Sequence, residues 1–269
     1  MSIAAAILLG AIQGLTEFLP VSSSAHLILA RMFFGWEVPP AFGLAFDVAL
    51  HIGTLAAIVA FFRAEIIAMV RSLPSALSLD AGPSARVARL IVIGTIPVVI
   101  VAILFSDYIE DVLRSPAIAA GALAFGAVAM IVAERFGEPR RTEVDLRWTD
   151  ALLIGCAQAS ALIPGMSRSG STIAMGMFLG VRRDAAARFT FLLAIPAMVA
   201  AAAKEALELR AMPLAPGSFA AIAIGTVVSA AVGYFTIKFF LRFLSGHKLD
   251  VFAAYRLLLA AATVLWLVT

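Results

Sequence analysis

The sequence predicts an all-α, polytopic integral membrane protein, built as an inverted-topology repeat with six transmembrane helices and two re-entrant helical hairpins. Three observations predict it. The 269 residues are 62% hydrophobic and 14% charged, with a mean hydropathy of +1.03, a balance foreign to soluble domains. The apolar runs are long and continuous rather than short and alternating, so they read as helices and not as barrel strands. An interrupted apolar stretch followed by three full spans also occurs twice.

The N-terminus, Met1 to Gly10, has no basic region and no small-residue cleavage site, so it reads as mature sequence. In residues 2–35, Ile3 to Phe18 forms one helix, Pro20-Val21-Ser22-Ser23-Ser24 breaks it, and Ala25 to Phe34 resumes. Each piece is too short to cross roughly 30 Å of hydrocarbon. Two short helices around a polar break read as a re-entrant hairpin, tolerated where it is buried in protein or faces water. Spans are expected at 45–62, 90–105 and 117–133, with a polar loop from Arg63 to Arg89 carrying Pro74, Asp80, Gly82 and Pro83. A short acidic loop is expected from Asp107 to Pro116. Residues 1–137 form the first repeat and 138–150 a linker, within the most polar segment of the chain.

The pattern then restarts over 151–269, with a second hairpin at 151–181 and spans at 189–203, 219–237 and 251–268. Leu8-Leu9-Gly10 with Gln13 matches Leu153-Ile154-Gly155 with Gln158. Phe18-Leu19-Pro20 then Ser23 matches Leu162-Ile163-Pro164 then Ser167, with one residue deleted, and Ile93-Gly94-Thr95 matches Ile224-Gly225-Thr226. Three spans per half is an odd number, so the second half is inverted relative to the first. Most of the basic residues fall on one side, in 63–89, 135–147, 182–188 and 238–248; the other side carries Arg31, Arg114, Lys204 and Arg210. The positive-inside rule makes the first side cytoplasmic and puts both termini outside. One hairpin then dips in from each side, and their tips meet near mid-membrane.

Those tips hold the chemistry. Pro164-Gly165-Met166-Ser167-Arg168-Ser169-Gly170-Ser171-Thr172 lies inside an apolar run, and a charged Arg168 there is expensive if it faces lipid. A new helix is expected from about Thr172. A glycine- and serine-rich turn opening a helix, with an arginine in it, is built to hold an anion. The alternative is a broken helix packing on its neighbours. Gln13 and Glu17 are four apart and share a helix face. A carboxylate at depth needs a partner, and Arg168 is the natural one; a purely structural pair stitching the hairpins is the other reading. Ser22, Ser23 and Ser24 open the next helix, where capping competes with chemistry. His26, three residues after Ser23, reads either as a packed, hydrogen-bonded histidine or as a proton-transfer group. Asp47 and His51, four apart in the first span, divide evenly between lining a site and structural pairing.

A single cysteine, Cys156, excludes an internal disulfide. No zinc, redox or nucleic-acid signature is present, so nucleic acid is not an expected partner; a homodimer is compatible with the sequence. The residues alone point to a phosphate or carboxylate site at membrane depth, and leave a transporter or flippase of an anionic lipid or small anion beside a membrane enzyme.

At these residues the chain resembles the bacterial undecaprenyl-diphosphate phosphatases of the bacitracin-resistance type. Gln13-Gly14-Leu15-Thr16-Glu17 is similar to that family's first motif, and Pro164 to Thr172 fits its second, Pro-Gly-x-Ser-Arg-Ser-x-x-Thr, at every fixed position. Gln13 stands where a glutamate is the alternative, which leaves one acidic group there. The resemblance implies hydrolysis of undecaprenyl diphosphate in the plasma membrane, a site opening to the outer face, and a requirement for a divalent cation, Mg²⁺ or Ca²⁺. It marks Glu17, Ser23, His26 and Arg168 as catalytic, with Gln13, Ser22, Ser167, Ser169 and Thr172 binding substrate. Glu17 is also its candidate metal ligand.

Overall fold

The computed structural model describes residues 1–36, 39–72, 74, 82–113, 115–138, 140–209 and 218–268. Arg114 and Arg210 of the orientation argument, and Asp80, lie outside them. The fold is all-α and the protein is a multi-pass membrane protein; among the described residues the only β feature is an isolated bridge between Arg141 and Val181. The described residues form eleven α-helices in order: α1 Ile3–Thr16, α2 Ser23–Phe33, α3 Pro40–Phe61, α4 Arg63–Ser72, α5 Pro83–Tyr108, α6 Pro116–Phe136, α7 Trp148–Ser160, α8 Arg168–Phe178, α9 Arg183–Leu209, α10 Ser218–Leu244 and α11 Asp250–Val268.

Among the described residues, six stretches are long and apolar enough to cross a membrane: Phe42–Phe61, Pro83–Phe105, Pro116–Phe136, Arg183–Leu207, Phe219–Leu244 and Asp250–Val268. They coincide with the six expected spans but run further at their polar ends. Hydropathy marks where lipid stops, whereas a helix stops where its terminal backbone groups find other partners. Ser115 caps α6, its side chain accepting from Ile118 N, and Pro116 supplies the favoured first position. α9 starts at Arg183, which forms an ion pair with Glu134 at the end of α6; Glu134 also accepts from Leu249 N. That one carboxylate ties the polar ends of α6, α9 and α11.

Three sequence expectations are corrected. Part of the supposed 63–89 loop is helical, as α4 and the first turns of α5. The acidic stretch after Asp107 continues α5 into a π-helical turn, Ile109–Leu113. The helix after the second break begins at Arg168, not at Thr172, because Ser167 caps it by accepting from Gly170 N at 3.2 Å.

The first helix of each interrupted stretch packs on a long helix of the other half. α1 lies on α10, and α7 lies on α5. Glycines set both approaches: a Cβ on Gly10 would come within 2.7 Å of Gly225 O, and one on Gly155 would strike Gly94 O. Without water to drive helices together in lipid, such close backbone contact carries the association. Aromatic packing fills the centre, where Phe191 of α9 meets Phe18 edge-on at 5.5 Å and Phe240 at 6.1 Å. α8, behind the second break, is largely buried among α6, α7 and α9, whereas α2, behind the first, buries only Ala25 and Leu27.

Candidate active site

Both short helices open in the same unusual way. Ser22, before α2, has φ 72° and ψ 97°; Ser167, before α8, has φ 65° and ψ 112°. They are the only described non-glycine residues in the left-handed region. Such a conformation costs on the order of 1–3 kcal/mol and persists only where surroundings enforce it. It turns the chain sharply, so that Ser23 and Arg168 become the first residues of their helices. Both stand at the positive ends of helix dipoles.

The breaks are joined by side chains. Arg168 forms an ion pair with Glu17 Oε1; their side chains are 19% and 7% exposed. The other oxygen of Glu17, Oε2, accepts from Ser23 Oγ at 2.6 Å and from Gln13 Nε2 at 3.0 Å. Ser169 Oγ donates to Leu19 O at 3.0 Å. Thus the carboxylate is met by an arginine, a hydroxyl and an amide, and the serine hydroxyl is aimed at it.

This cluster opens on a cavity of about 230 Å³. Its lining mixes polar residues, Glu17, Ser22, Ser23, Ser24, Ser167, Arg168 and Glu205 among them, with the apolar Val98, Leu162, Ala197 and Met198. Gln158 also lines it. It is 1% exposed, and neither amide atom has a partner in the protein. Gln13 Oε1 is likewise buried without a partner. Buried amides without partners are rare and call for one from outside the chain.

The remaining sequence candidates divide. Gln13, His26, Ser169 and Thr172 are not among the residues that line the cavity. Thr172 Oγ1 donates to Arg168 O at 2.7 Å, and so reinforces the first turn of α8. His26 points toward α11: Nδ1 donates to Ser22 O at 2.7 Å, Nε2 meets Tyr255 Oη at 2.7 Å, and the two rings stack at 5.6 Å. Both of its nitrogens are occupied, and neither contacts Ser23. Asp47 pairs with Arg31, not with His51. His51 lines the cavity, its Nδ1 bonded to Asp47 O at 2.8 Å.

One residue escaped the sequence reading entirely. Arg256, in the middle of α11, is fully buried. Its guanidinium donates to Pro20 O at the first break and to Gly165 O and Met166 O at the second, at 3.3, 2.9 and 3.0 Å. It also reaches Ala122 O and Leu123 O of α6. Carbonyls left bare by two broken helices are thus satisfied by one planar fork of donors. The signal was available, because an arginine six residues into an apolar span is expensive without such a role. Gly126 makes room for it: a Cβ there would collide with Arg256 Nη2.

Among proteins of known sequence, the chain matches the family described as bacitracin resistance protein BacA over residues 6–262. It is 44% identical to an undecaprenyl-diphosphatase of Rubrobacter xylanophilus over 260 residues, 95% of each chain. It is 46% identical to undecaprenyl-diphosphatase 2 of Stutzerimonas stutzeri over 260 residues, covering 95% of this chain and 94% of that one. An undecaprenyl-diphosphatase of Chlorobium luteolum is 43% identical over 279 residues, covering 99% and 98%. Matched end to end in this way, with both helix breaks inside the matched region, the chain belongs to the bacitracin resistance protein BacA family.

Proposed function

We propose that this chain hydrolyses undecaprenyl diphosphate to undecaprenyl phosphate and inorganic phosphate, which recycles the lipid carrier for peptidoglycan synthesis and confers bacitracin resistance. Family membership and the names of its relatives support the reaction. The observation that carries the mechanism is the 2.6 Å hydrogen bond from Ser23 Oγ to Glu17 Oε2, beside the Arg168–Glu17 ion pair.

The diphosphate enters the cavity and shares Arg168 with Glu17. Ser23 Oγ attacks the terminal phosphorus and its proton passes to Glu17 Oε2. The bond from that phosphorus to the bridging oxygen breaks, and undecaprenyl phosphate leaves. Water then hydrolyses the phosphoserine, with Glu17 returning the proton. Arg168 and the N-terminal ends of α2 and α8 stabilise charge on the transferring group. His26, held on Ser22 O and Tyr255, fixes the turn rather than moving the proton.

A divalent cation, Mg²⁺ or Ca²⁺, fits here only if substrate shares in holding it. Among the described residues no three His, Cys, Asp or Glu converge. Mg²⁺ is commonly held by one or two carboxylates together with substrate phosphates. Glu17, which lines the cavity, is the group that would hold it, and it would neutralise diphosphate charge.

The protein sits in the bacterial plasma membrane with both termini extracytoplasmic and the cavity opening outward, a reading supported by the distribution of basic residues. The inverted repeat of 1–137 and 151–269 is supported by the matched conformations of Ser22 and Ser167. The crossed packing of Gly10 on Gly225 and of Gly155 on Gly94 supports it too.

The test is phosphate release from a polyprenyl diphosphate by detergent-purified protein, with Mg²⁺ or Ca²⁺ and then with chelator, beside Arg168→Ala. Cation-dependent release, lost in the variant, is expected. Substrate that binds without release would move the protein to the transporter class.

A further inference from the structure

Most side-chain donors around the cavity at the helix breaks are already committed. Thr16 Oγ1 donates to Ile12 O, and Ser23 Oγ donates to Glu17. Ser169 Oγ gives its hydrogen to Leu19 O, so Ser167 Oγ is the donor in its 3.3 Å contact with Ser169 Oγ. Ser22 and Ser24 share one hydrogen bond at 3.2 Å, which leaves a single hydroxyl hydrogen beside Ser23 for the transferring phosphoryl group. His51 Nδ1 donates to Asp47 O, so Nε2 of the neutral ring carries a lone pair, which repels an anion. Arg168 is shared between Glu17 and the transferring group. The amide of Gln158 is left, 1% exposed, with Nε2 and Oε1 both unpartnered.

Gln13 and Gln158 stand at matched places in the two interrupted stretches. Gln13 Nε2 donates to Glu17, four residues on, at 3.0 Å. Four residues beyond Gln158 stands Leu162. The second stretch keeps the glutamine and lacks the carboxylate. Among the described residues, α5 contributes Val98 to the lining, and the chain leaving α7 contributes Ala161 and Leu162. Gln158 is the one polar side chain that these elements offer to the cavity. A buried amide left bare is destabilising, and a contact with substrate offsets that loss.

Undecaprenyl diphosphate carries two phosphates. Ser23, Arg168 and the helix ends serve the one that is transferred. We propose that Gln158 binds the other, the phosphate that stays on the lipid, through Nε2–H; the choice of substrate rests on the proposed hydrolysis. That phosphate is ionised and offers acceptors only, so Nε2 is the end of the amide that meets it. The isoprenoid chain begins at that phosphate, which suits an amide whose lining neighbours in its own stretch of chain, Ala161 and Leu162, are apolar. After cleavage Gln158 holds undecaprenyl phosphate and makes no contact with inorganic phosphate.

The experiment measures the binding of a polyprenyl monophosphate and of inorganic phosphate, each alone, to the full-length protein in detergent, beside steady-state hydrolysis of the polyprenyl diphosphate. In Gln158→Leu the dissociation constant of the monophosphate is expected to rise about 10-fold to 100-fold, the range for a lost hydrogen bond to a charged group. KM is expected to rise by a similar factor without a matching fall in kcat, and the affinity for inorganic phosphate to stay as it is. Gln158→Glu keeps the shape but replaces the donor by an acceptor. It is expected to weaken monophosphate binding at least as much, and it carries the test if the leucine variant does not fold. Loss of affinity for inorganic phosphate alone overturns the proposal and puts the amide at the transferring group; equal loss for both ligands overturns the assignment to one phosphate. Unchanged constants in both variants overturn it as well and make Gln158 a packing residue. Wild-type protein that binds the monophosphate yet releases no phosphate from the diphosphate is a failure of the proposed hydrolysis alone, and the binding of the variants still decides Gln158.

Discussion

Ser22 and Ser167, far apart in the chain, share one left-handed backbone conformation, φ 72° and 65°, at the openings of α2 and α8. Only Ser167 is compensated by a capping bond to Gly170 N; Ser22 has no side-chain cap. Replacement by glycine relieves the strain at either place. Ser22→Gly is expected to stabilise the protein by about 1 kcal/mol, and Ser167→Gly to be close to neutral because the cap is lost as the strain is relieved. Valine at either position is expected to destabilise. Thermal unfolding in detergent at fixed lipid content measures all three.

Glu17 and Arg168 form a buried pair, and breaking one side leaves an uncompensated charge. Arg168→Ala is expected to destabilise by about 3–5 kcal/mol and to abolish phosphate release. Glu17→Ala with Arg168→Ala is expected to recover most of that stability and none of the activity. Parallel melting curves and phosphate assays check this; a double variant as unstable as the single would show that the pair is not the source of the loss.

Arg256 satisfies carbonyls at both breaks, so Arg256→Met leaves several buried acceptors bare. A loss of about 1–3 kcal/mol for each carbonyl that finds no water is expected. Gly126→Ala acts on the same clamp from the other side, by displacing the guanidinium. Hydrogen exchange should rise at residues 20–24 and 165–170 in both variants, and stay unchanged at α3.

His26 and Glu17 are separated by their partners. Glu17→Gln is expected to lower kcat by about 10²–10⁴, the range for loss of a general base. Tyr255→Phe removes the hydrogen bond to His26 Nε2 and is expected to cost about 1 kcal/mol of stability with little change in kcat. A fall in kcat for Tyr255→Phe matching that of Glu17→Gln would make His26 the proton acceptor instead.

Gln158 lines the reaction cavity with both amide atoms unpartnered. Gln158→Leu removes a buried unsatisfied group and is expected to raise the stability of the substrate-free protein by about 1–3 kcal/mol. It is also expected to raise KM, since the amide is then missing for the phosphate. The opposite signs, read from melting and steady-state kinetics, distinguish a substrate contact from a packing residue.

The sequence by itself determined the fold class, the number and order of the six spans and the place of both breaks. Each of these follows from the free energy of moving local segments from water into hydrocarbon, which adds along the chain. Pairing of Glu17 with Arg168 was legible for the same reason, because an ion at depth has few partners available. Tertiary structure decided the rest. His26 stands three residues from Ser23, yet the turn of α2 carries its ring to Tyr255 of α11. Asp47 and His51 share a helix face, yet Arg31 takes the aspartate. Arg256 looked like part of a plain span until five carbonyls from α6 and both breaks were seen to converge on it. Spacing along a helix says which residues share a face; only packing between helices says what that face meets.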